Sequence, residues 1–380
     1  MLIETTDLPP LDISPVHVQI TILPSESEYI AYVVTDMHAT SIPIHLKVHD
    51  VKGLNTLLQE AIQQVASSFG NPAAYDKALT ELSHIGNYAF QRIFATTACQ
   101  ETIRNALKGG SIIQIVAKDF FIPWELLCDS PPDASASISY YWGMNHIISR
   151  TIIQDPRPGA LVSPVMTSKR PKVGLIASDR LPFVEKQEIP ALKHLHQKRR
   201  IALVPLRELS MAERISELAA LGQFLGQEFH IVHLACHAYE QEPIERSYLF
   251  ITKDFPITMI DFVVGSYILT YHPLVILNAC LTSVVNPLYT SSWAEKFWEY
   301  GARGVLATDF RVPDWFAASF SQALYQELLS GVPIGEALLT LRRQFWNSER
   351  NPMGLAYALY ASPSIQIARA KNKKRKEIIE

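Results

Sequence analysis

A cysteine and a histidine, each directly after a strongly apolar segment, are the residues in this sequence best suited to covalent chemistry. His237 follows FHIVHLA at 229–235, and Cys280 follows PLVILNA at 273–279. Both segments have the composition of buried strands. A thiolate attacks carbonyl carbon readily, and an imidazole with an ordinary pKa of about 6.5 can activate the thiol and then protonate a leaving amine.

The surrounding segments predict how these two residues are positioned. From residue 169 onward, strand-like segments alternate with amphipathic helices, which favours an α/β fold with a mostly parallel sheet flanked by helices. The predicted strands are 172–177, 201–206, 229–235, 248–252, 273–279, 304–310 and 364–368, and the helices are 188–199, 211–225, 291–300, 315–329 and 334–346. Functional groups gather at the carboxyl ends of parallel strands. If their strands are neighbours, His237 and Cys280 meet there as general acid/base and nucleophile.

The first half of the chain has a different pattern. Alternating segments at 17–23, 29–36 and 42–49 predict a small meander of strands, and two helices (51–68 and 74–94) and a buried strand (111–117) follow. A proline-rich stretch at 156–171 is the best linker, with a boundary near Lys169. We therefore expect an N-terminal region at 1–168, a second domain at 169–369 and a basic, disordered tail at 370–380.

Composition restricts the function. A length of 380 residues suggests two domains, or one large α/β domain with an appended half. The chain is 48% hydrophobic and 19% charged, typical of a globular protein, and a net charge of −3 gives no support for nucleic-acid binding. No secretory signal is visible, and four cysteines without a CxxC pair indicate reduced thiols in a cytosol. Residues 262–294 lack charged side chains, but their proline and asparagines favour a buried strand over a membrane span.

Several other residues have a structural interpretation. His230, His233 and His237 share helical spacing but lie in a strand-like segment without HExxH, so no metal and no cofactor are expected. His233 is predicted to be buried and hydrogen-bonded, and Cys236 to fill the core. Trp124 and Glu125 are predicted to pack between the halves of the chain, with Glu125 paired to a base such as Arg150.

Four motifs in order resemble the CHAT proteases, relatives of separase and the caspases. HIVHLACHA at 230–238 and VILNAC at 275–280 resemble the histidine and cysteine elements of that family. FIPWELLCD at 121–129 resembles its PWELL element, and the run at 301–343 resembles its closing strand and helices. The resemblance implies a caspase-like sheet preceded by an inactive caspase-like half.

The resemblance also implies site residues. Cys280 attacks the scissile carbonyl, His237 assists, and the backbone N–H groups of Ala238 and Cys280 hold the oxyanion, with Ala238 standing where the family usually has glycine. The resemblance further implies a pocket for the P1 side chain of the substrate. Its lining residues would end or follow the strand at 304–310 and are Asp309, Phe310, Arg311 and Asp314. Their mixed charges leave a basic and a medium apolar P1 residue both open.

The implied function is regulated proteolysis in the cytoplasm of a bacterium, in antiphage defence. The expected partners are a protein substrate of the pore-forming or regulatory kind and an activating sensor protein, with no nucleic acid and no membrane span. The alternative is a catalytically weak or inactive protease-like scaffold that binds partner proteins. A nucleotide hydrolase is set aside because the sequence has neither GxxxxGK[ST] nor GxGxxG.

Overall fold

The computed structural model describes residues 16–26, 28–35, 39–117, 120–131, 137–152, 162–178, 180–252, 254–281 and 287–368. The predicted disordered tail at 370–380 lies outside these residues.

The described residues form fifteen strands and ten α-helices, besides short 3-10 and π-helical turns. The strands are β1 (Val18–Ser25), β2 (Glu28–Thr35), β3 (Ala39–Ile44), β4 (Ile112–Ala117), β5 (Ile147–Ile152), β6 (Val165–Thr167), β7 (Lys172–Ala177), β8 (Ala202–Pro205), β9 (Ile231–Tyr239), β10 (Tyr248–Thr252), β11 (Phe255–Thr258), β12 (Leu274–Leu281), β13 (Gly304–Thr308), β14 (Tyr357–Tyr360) and β15 (Gln366–Ala368). The helices are α1 (Val48–Ser67), α2 (Pro72–Ile93), α3 (Thr97–Ala106), α4 (Trp142–Asn145), α5 (Ile189–Gln197), α6 (Arg214–Leu225), α7 (Met259–Gly265), α8 (Pro287–Glu299), α9 (Asp314–Ser330) and α10 (Ile334–Glu349).

The first sheet has the strand order β3-β2-β1-β4-β5. Strands β1 to β3 form the predicted antiparallel meander, and β4 and β5 continue the sheet in parallel with β1. The third strand ends at Ile44 rather than at residue 49, because α1 begins at Val48. The Lys47 backbone N–H donates to the Asp50 carboxylate at 2.9 Å and so caps that helix.

The second sheet contains both reactive positions. Strands β8, β7, β9, β12 and β13 are parallel, and β14 adds an antiparallel edge. Strand β7 pairs with the first half of β9, whereas the β10–β11 hairpin pairs with its second half. The predicted mixed α/β fold with helices on the sheet faces is confirmed. Strand β14 was not predicted, and the predicted last strand, β15, pairs with β6 in a separate small sheet.

Alternating apolar residues bury both faces of the second sheet. Ile231 and Ile276 pack toward α5 and α9, and Val232 and Val275 pack toward α6 and α8. The neutral stretch at 262–294 is divided among α7, β12 and α8 in its described parts. None of the helices in the described ranges is both long enough and apolar enough to cross a bilayer.

Candidate active site

His237 and Cys280 occupy paired positions on neighbouring parallel strands. In the register of β9 and β12, Cys280 lies opposite His237, which puts both positions on the same face of the sheet. The prediction that these residues follow their strands is wrong in detail, because both lie inside the strands. Strand β9 runs beyond the end of β7 because the hairpin strand β10 pairs with 237–239. The predicted adjacency of the two strands is confirmed.

The His237 ring is half-buried and contacts a backbone carbonyl. Its Nε2 lies 3.4 Å from the carbonyl oxygen of Arg180, in the segment after β7. A carbonyl oxygen only accepts hydrogen bonds, so this contact favours the tautomer with hydrogen on Nε2 and an Nδ1 that can accept a proton. Sequence reasoning missed this contact, because any residue type at position 180 supplies the same carbonyl group.

Ala238 is buried and lies within β9, where it pairs with Leu249 of β10. Its backbone is therefore extended, a conformation that any L-amino acid adopts without strain. The alanine at this position creates no left-handed backbone, so glycine is not required there.

Cys236 precedes the histidine and lies on the opposite face of the strand. Its side chain is 0% exposed and belongs to the core that includes Val232 and Leu234. The prediction that Cys236 fills the core is confirmed.

A buried polar network lies on the face that His237 and Cys280 share. Glu188 Oε1 lies 2.9 Å from His233 Nε2 and accepts a 2.8 Å hydrogen bond from Asn278 Nδ2. The hydroxyl of Tyr325 lies 3.3 Å from His233 Nδ1, and that of Tyr357 donates to Asn278 Oδ1 at 2.9 Å. The prediction of a buried, hydrogen-bonded His233 is confirmed. Glu188 and Asn278 were missed, although an asparagine inside PLVILNA is a visible polar interruption of an apolar strand.

A second buried network joins the two sheets. The Arg150 guanidinium on β5 lies 2.5 Å from Glu125 and 2.8 Å from Asp309, so the predicted Glu125–Arg150 pair is confirmed. Arg342 of α10 lies 3.4 Å from the other Glu125 oxygen, and the Tyr360 hydroxyl donates to Asp309 at 3.2 Å. Burial raises the pKa of Asp309 to about 7, against the opposing effect of Arg150.

The four residues assigned to a P1 pocket have different environments. Asp309 is 1% exposed and faces Arg150, so the structure does not support its assignment to an open pocket. Phe310 is also buried, and it packs in the core. Arg311 is exposed, and its carbonyl accepts a 2.7 Å hydrogen bond from Gln63 of α1. Asp314 is half-buried at the start of α9, where it accepts from the Trp315 N–H at 3.0 Å.

Comparisons with solved structures show the same fold elsewhere. The chain is similar to a chain of the Saccharomyces cerevisiae separase–securin complex at 2.6 Å resolution, with a TM-score of 0.51 and 10% identity, over 93% of this chain and 30% of that one. A second crystal structure of that complex, at 3.0 Å, has a TM-score of 0.44 and 10% identity, over 90% of this chain and 30% of that one. The present chain thus spans under a third of the separase chains it matches.

The family comparison matches a range that begins in the first half of the sequence and extends over nearly all of the second half. Residues 120–371 match the CHAT domain, a range that includes the PWELL element and both strands of the candidate site. A comparison with curated proteins found no match. Since the matched range is more than half of the sequence, this chain belongs to the CHAT domain family.

Proposed function

We propose that this protein is a cysteine endopeptidase in which Cys280 is the nucleophile and His237 is the general acid/base. The observation that carries the proposal is the register that pairs Cys280 with His237 on adjacent parallel strands of a CHAT domain. The carbonyl contact at His237 Nε2 supports it, because that contact favours the tautomer that leaves Nδ1 free of hydrogen and able to accept the thiol proton.

The proposed reaction follows from these positions. His237 takes the thiol proton, and the Cys280 sulfur bonds to the carbonyl carbon of the scissile peptide. The resulting oxyanion is held by the backbone N–H groups of Ala238 and Cys280, each worth about 3 kcal/mol in comparable sites. Protonated His237 then donates its proton to the leaving amine, and water hydrolyses the thioester to release the acid and restore the thiol.

The proposed catalytic domain occupies only about the second half of the chain. Residues 169–369 would form the catalytic domain, and 1–168 an inactive caspase-like half that supports it, with the tail at 370–380 outside both. The first sheet is consistent with this, since its parallel strands β1, β4 and β5 have helices packed against them. The buried Arg150–Asp309 pair gives the first region a direct contact with the end of β13.

Substrate selection is proposed for the segment that follows β13. Arg311 is exposed and Asp314 is half-buried there, whereas Asp309 and Phe310 are buried. Arg311 would favour an acidic or apolar P1 side chain over a basic one by charge, and Asp314 would have the opposite effect. Profiling with peptide libraries that vary only P1 decides between them.

The proposed biological role rests only on the similarity of this chain to the CHAT domain family and to separase. A neighbour of the same fold is known in complex with securin, so a protein partner at this fold has a precedent. We extend the proposal to a regulated cytoplasmic bacterial protease of antiphage defence that is switched by a sensor protein and cuts a pore-forming or regulatory protein.

The test uses a peptide chloromethyl ketone library and mass spectrometry of the intact chain. We expect one label at Cys280, and we expect His237→Ala to slow labelling by about 10²-fold or more, in line with the contribution of a general base. Peptide cleavage should vanish in Cys280→Ala.

Cys236→Ala is the matched control, because it removes a neighbouring thiol that lies in the core on the other face. It should label and cleave like the wild type. Equal labelling of wild type and His237→Ala, or a label at Cys236, contradicts the dyad. Partner binding without any labelling would instead favour the scaffold function.

A further inference from the structure

A cavity of about 150 Å³ lies between α5 and α9, beneath the face of the sheet that carries His237 and Cys280. One wall is apolar and comes from Ala191, Leu192 and Leu195 of α5. The opposite wall comes from Ser321, Gln322, Tyr325 and Gln326 of α9. Its volume is enough for a small ligand or the end of one long side chain, and neither residue of the proposed dyad lines it.

Glu188 lines this cavity, and one of its carboxylate oxygens has no hydrogen-bond partner among the described residues. The residue is 1% exposed, and its Oε1 faces His233 and Asn278. Its Oε2 is buried and makes no hydrogen bond to any group in the described ranges. A buried carboxylate oxygen without a donor is costly, and a cationic donor in the cavity would remove that cost.

The backbone at Glu188 is also unusual. Residues Val184–Glu188 form a π-helical turn that ends at this carboxylate, before α5 begins at Ile189. Single π-helical turns within helices occur often at functional sites, because the extra residue redirects a side chain. The turn and the unpartnered oxygen are independent observations at one place.

The lining selects the chemistry of the ligand. A metal ion would need several charged or imidazole ligands, and this cavity offers one carboxylate and the exposed His194. The cavity combines one carboxylate, an apolar wall that can contact methylene groups, and neutral acceptors such as Gln322. This combination fits a cation that carries an alkyl chain. We infer that the cavity binds an alkylammonium or alkylguanidinium group, from a free amine or from a lysine or arginine side chain of a protein.

Occupancy would act directly on both strands of the proposed site. Glu188 contacts Asn278, two residues before Cys280, and His233, four residues before His237. A cation at Oε2 would draw on the negative charge of the Glu188 carboxylate and so weaken its contacts with Asn278 and His233. The two strands would then shift relative to α5. This coupling rests on the proposed peptidase function, whereas the binding itself does not.

Binding is tested by calorimetry on the full chain with n-butylguanidinium and its neutral isostere N-butylurea. We expect a complex with a Kd on the order of 1 mM for the cation and at least about tenfold weaker binding of the urea. Equal binding of both compounds, or no heat from the cation, overturns the inference. A capped arginine distinguishes the sources: binding as tight as that of butylguanidinium assigns the site to protein side chains, and weaker binding assigns it to free amines.

Two variants locate the site. Glu188→Gln should weaken butylguanidinium binding at least about tenfold, whereas Glu185→Gln, an exposed residue of the same turn, should not. Because Glu188→Gln also alters buried contacts, Ala191→Met provides a second route: it fills the cavity and leaves the carboxylate in place. Wild-type affinity in both Glu188→Gln and Ala191→Met overturns the assignment.

The coupling is read from the rate of iodoacetamide alkylation at Cys280 with and without butylguanidinium. We expect a change of about fivefold in the wild type and none in Ala191→Met. An unchanged rate at a saturated cavity overturns the coupling and leaves the binding result intact. A Cys280 with no enhanced reactivity in either state contradicts the peptidase proposal instead, so the two failures are distinguishable.

Discussion

Arg150 and Asp309 lie 2.8 Å apart in the interior and join strand β5 of the first sheet to the end of β13 in the second. Arg150 also lies 2.5 Å from Glu125 of the PWELL element, so one guanidinium is shared by two buried carboxylates. Arg150 is only 7% exposed, so the cation is enclosed by the protein. The pair ties the PWELL element to the segment that leads into the proposed substrate pocket.

Removal of this cation should be severely destabilising. Arg150→Met leaves Glu125 and Asp309 buried with less compensation, and we expect a loss of about 3–5 kcal/mol in the free energy of unfolding. Urea denaturation followed by circular dichroism measures it. Arg104→Met is the matched control, because Arg104 forms a partly exposed pair with Asp129 at 2.7 Å and should cost no more than about 1 kcal/mol. Equal losses in the two variants would contradict the buried network.

Local patterns were sufficient for most of the elements. Strands β7 and β10 have the predicted bounds, and the adjacency of the strands with His237 and Cys280 followed from their shared chemistry and the resemblance. Strand β14 was missed because YALY is only four residues long and lacks alternation. What makes YALY a strand is its pairing with β13, a contact between distant parts of the chain.

Side-chain partners were harder to predict than elements. The resemblance to the family placed Asp309 in a P1 pocket, whereas the fold buries it beside Arg150 of the first sheet. The sequence predicts Glu188 as the first residue of a helix at 188–199 and does not show its burial, which follows the π-helical turn before α5. The Glu125–Arg150 pair was predicted because a buried tryptophan–glutamate motif requires a base nearby.

The stability of the protein should depend on the protonation of His146. The ring is 7% exposed, packs edge-on against Trp142, and burial lowers the pKa of His146 to about 4. Between pH 6.5 and 4, His146 therefore binds a proton in the unfolded chain but not in the folded chain. The free energy of unfolding falls as the pH is lowered through that range. The loss from this residue is about 3 kcal/mol.

His146→Phe tests this dependence, since it keeps an aromatic ring and removes the titration. The difference in unfolding free energy between pH 7 and pH 4.5 should shrink in the variant. A parallel NMR titration should show the imidazole unprotonated at pH 5. Protonation near pH 6.5 in the folded protein would contradict the burial argument.

Close packing at the start of β13 should make Gly304 irreplaceable. A Cβ there would collide with the Ala361 Cβ and lie 3.0 Å from Ile365 Cδ1. We expect Gly304→Ala to lower the unfolding free energy by about 1–3 kcal/mol. Gly53→Ala, in the exposed interior of α1 with no atom within 4 Å of the new carbon, should instead raise it by about 0.5–1 kcal/mol. Thermal melting should show a lower melting temperature for Gly304→Ala and a higher one for Gly53→Ala. A shift in the same direction for both variants would contradict the packing described for β13.

The hydrogen bond between Asn278 and Glu188 can be tested by substitutions that exchange the amide and the carboxylate between the two positions. Asn278→Asp turns the donor facing Glu188 into a second carboxylate at a position that is 2% exposed. We expect this change to cost about 2–4 kcal/mol at pH 7, because two like charges cannot share a buried site. The cost should fall as the pH is lowered and one carboxylate takes up a proton.

Glu188→Gln in the Asn278→Asp background should restore much of that loss, because the glutamine amide can donate to the new aspartate where the wild-type asparagine donated to the glutamate. A double-mutant cycle from urea denaturation should therefore give a favourable coupling energy of at least about 1 kcal/mol. Additive losses would mean that the two side chains do not contact each other. In that case the link from the α5 cavity to the Cys280 strand would be lost, while the pairing of Cys280 with His237, which depends on the backbone register, would be unaffected.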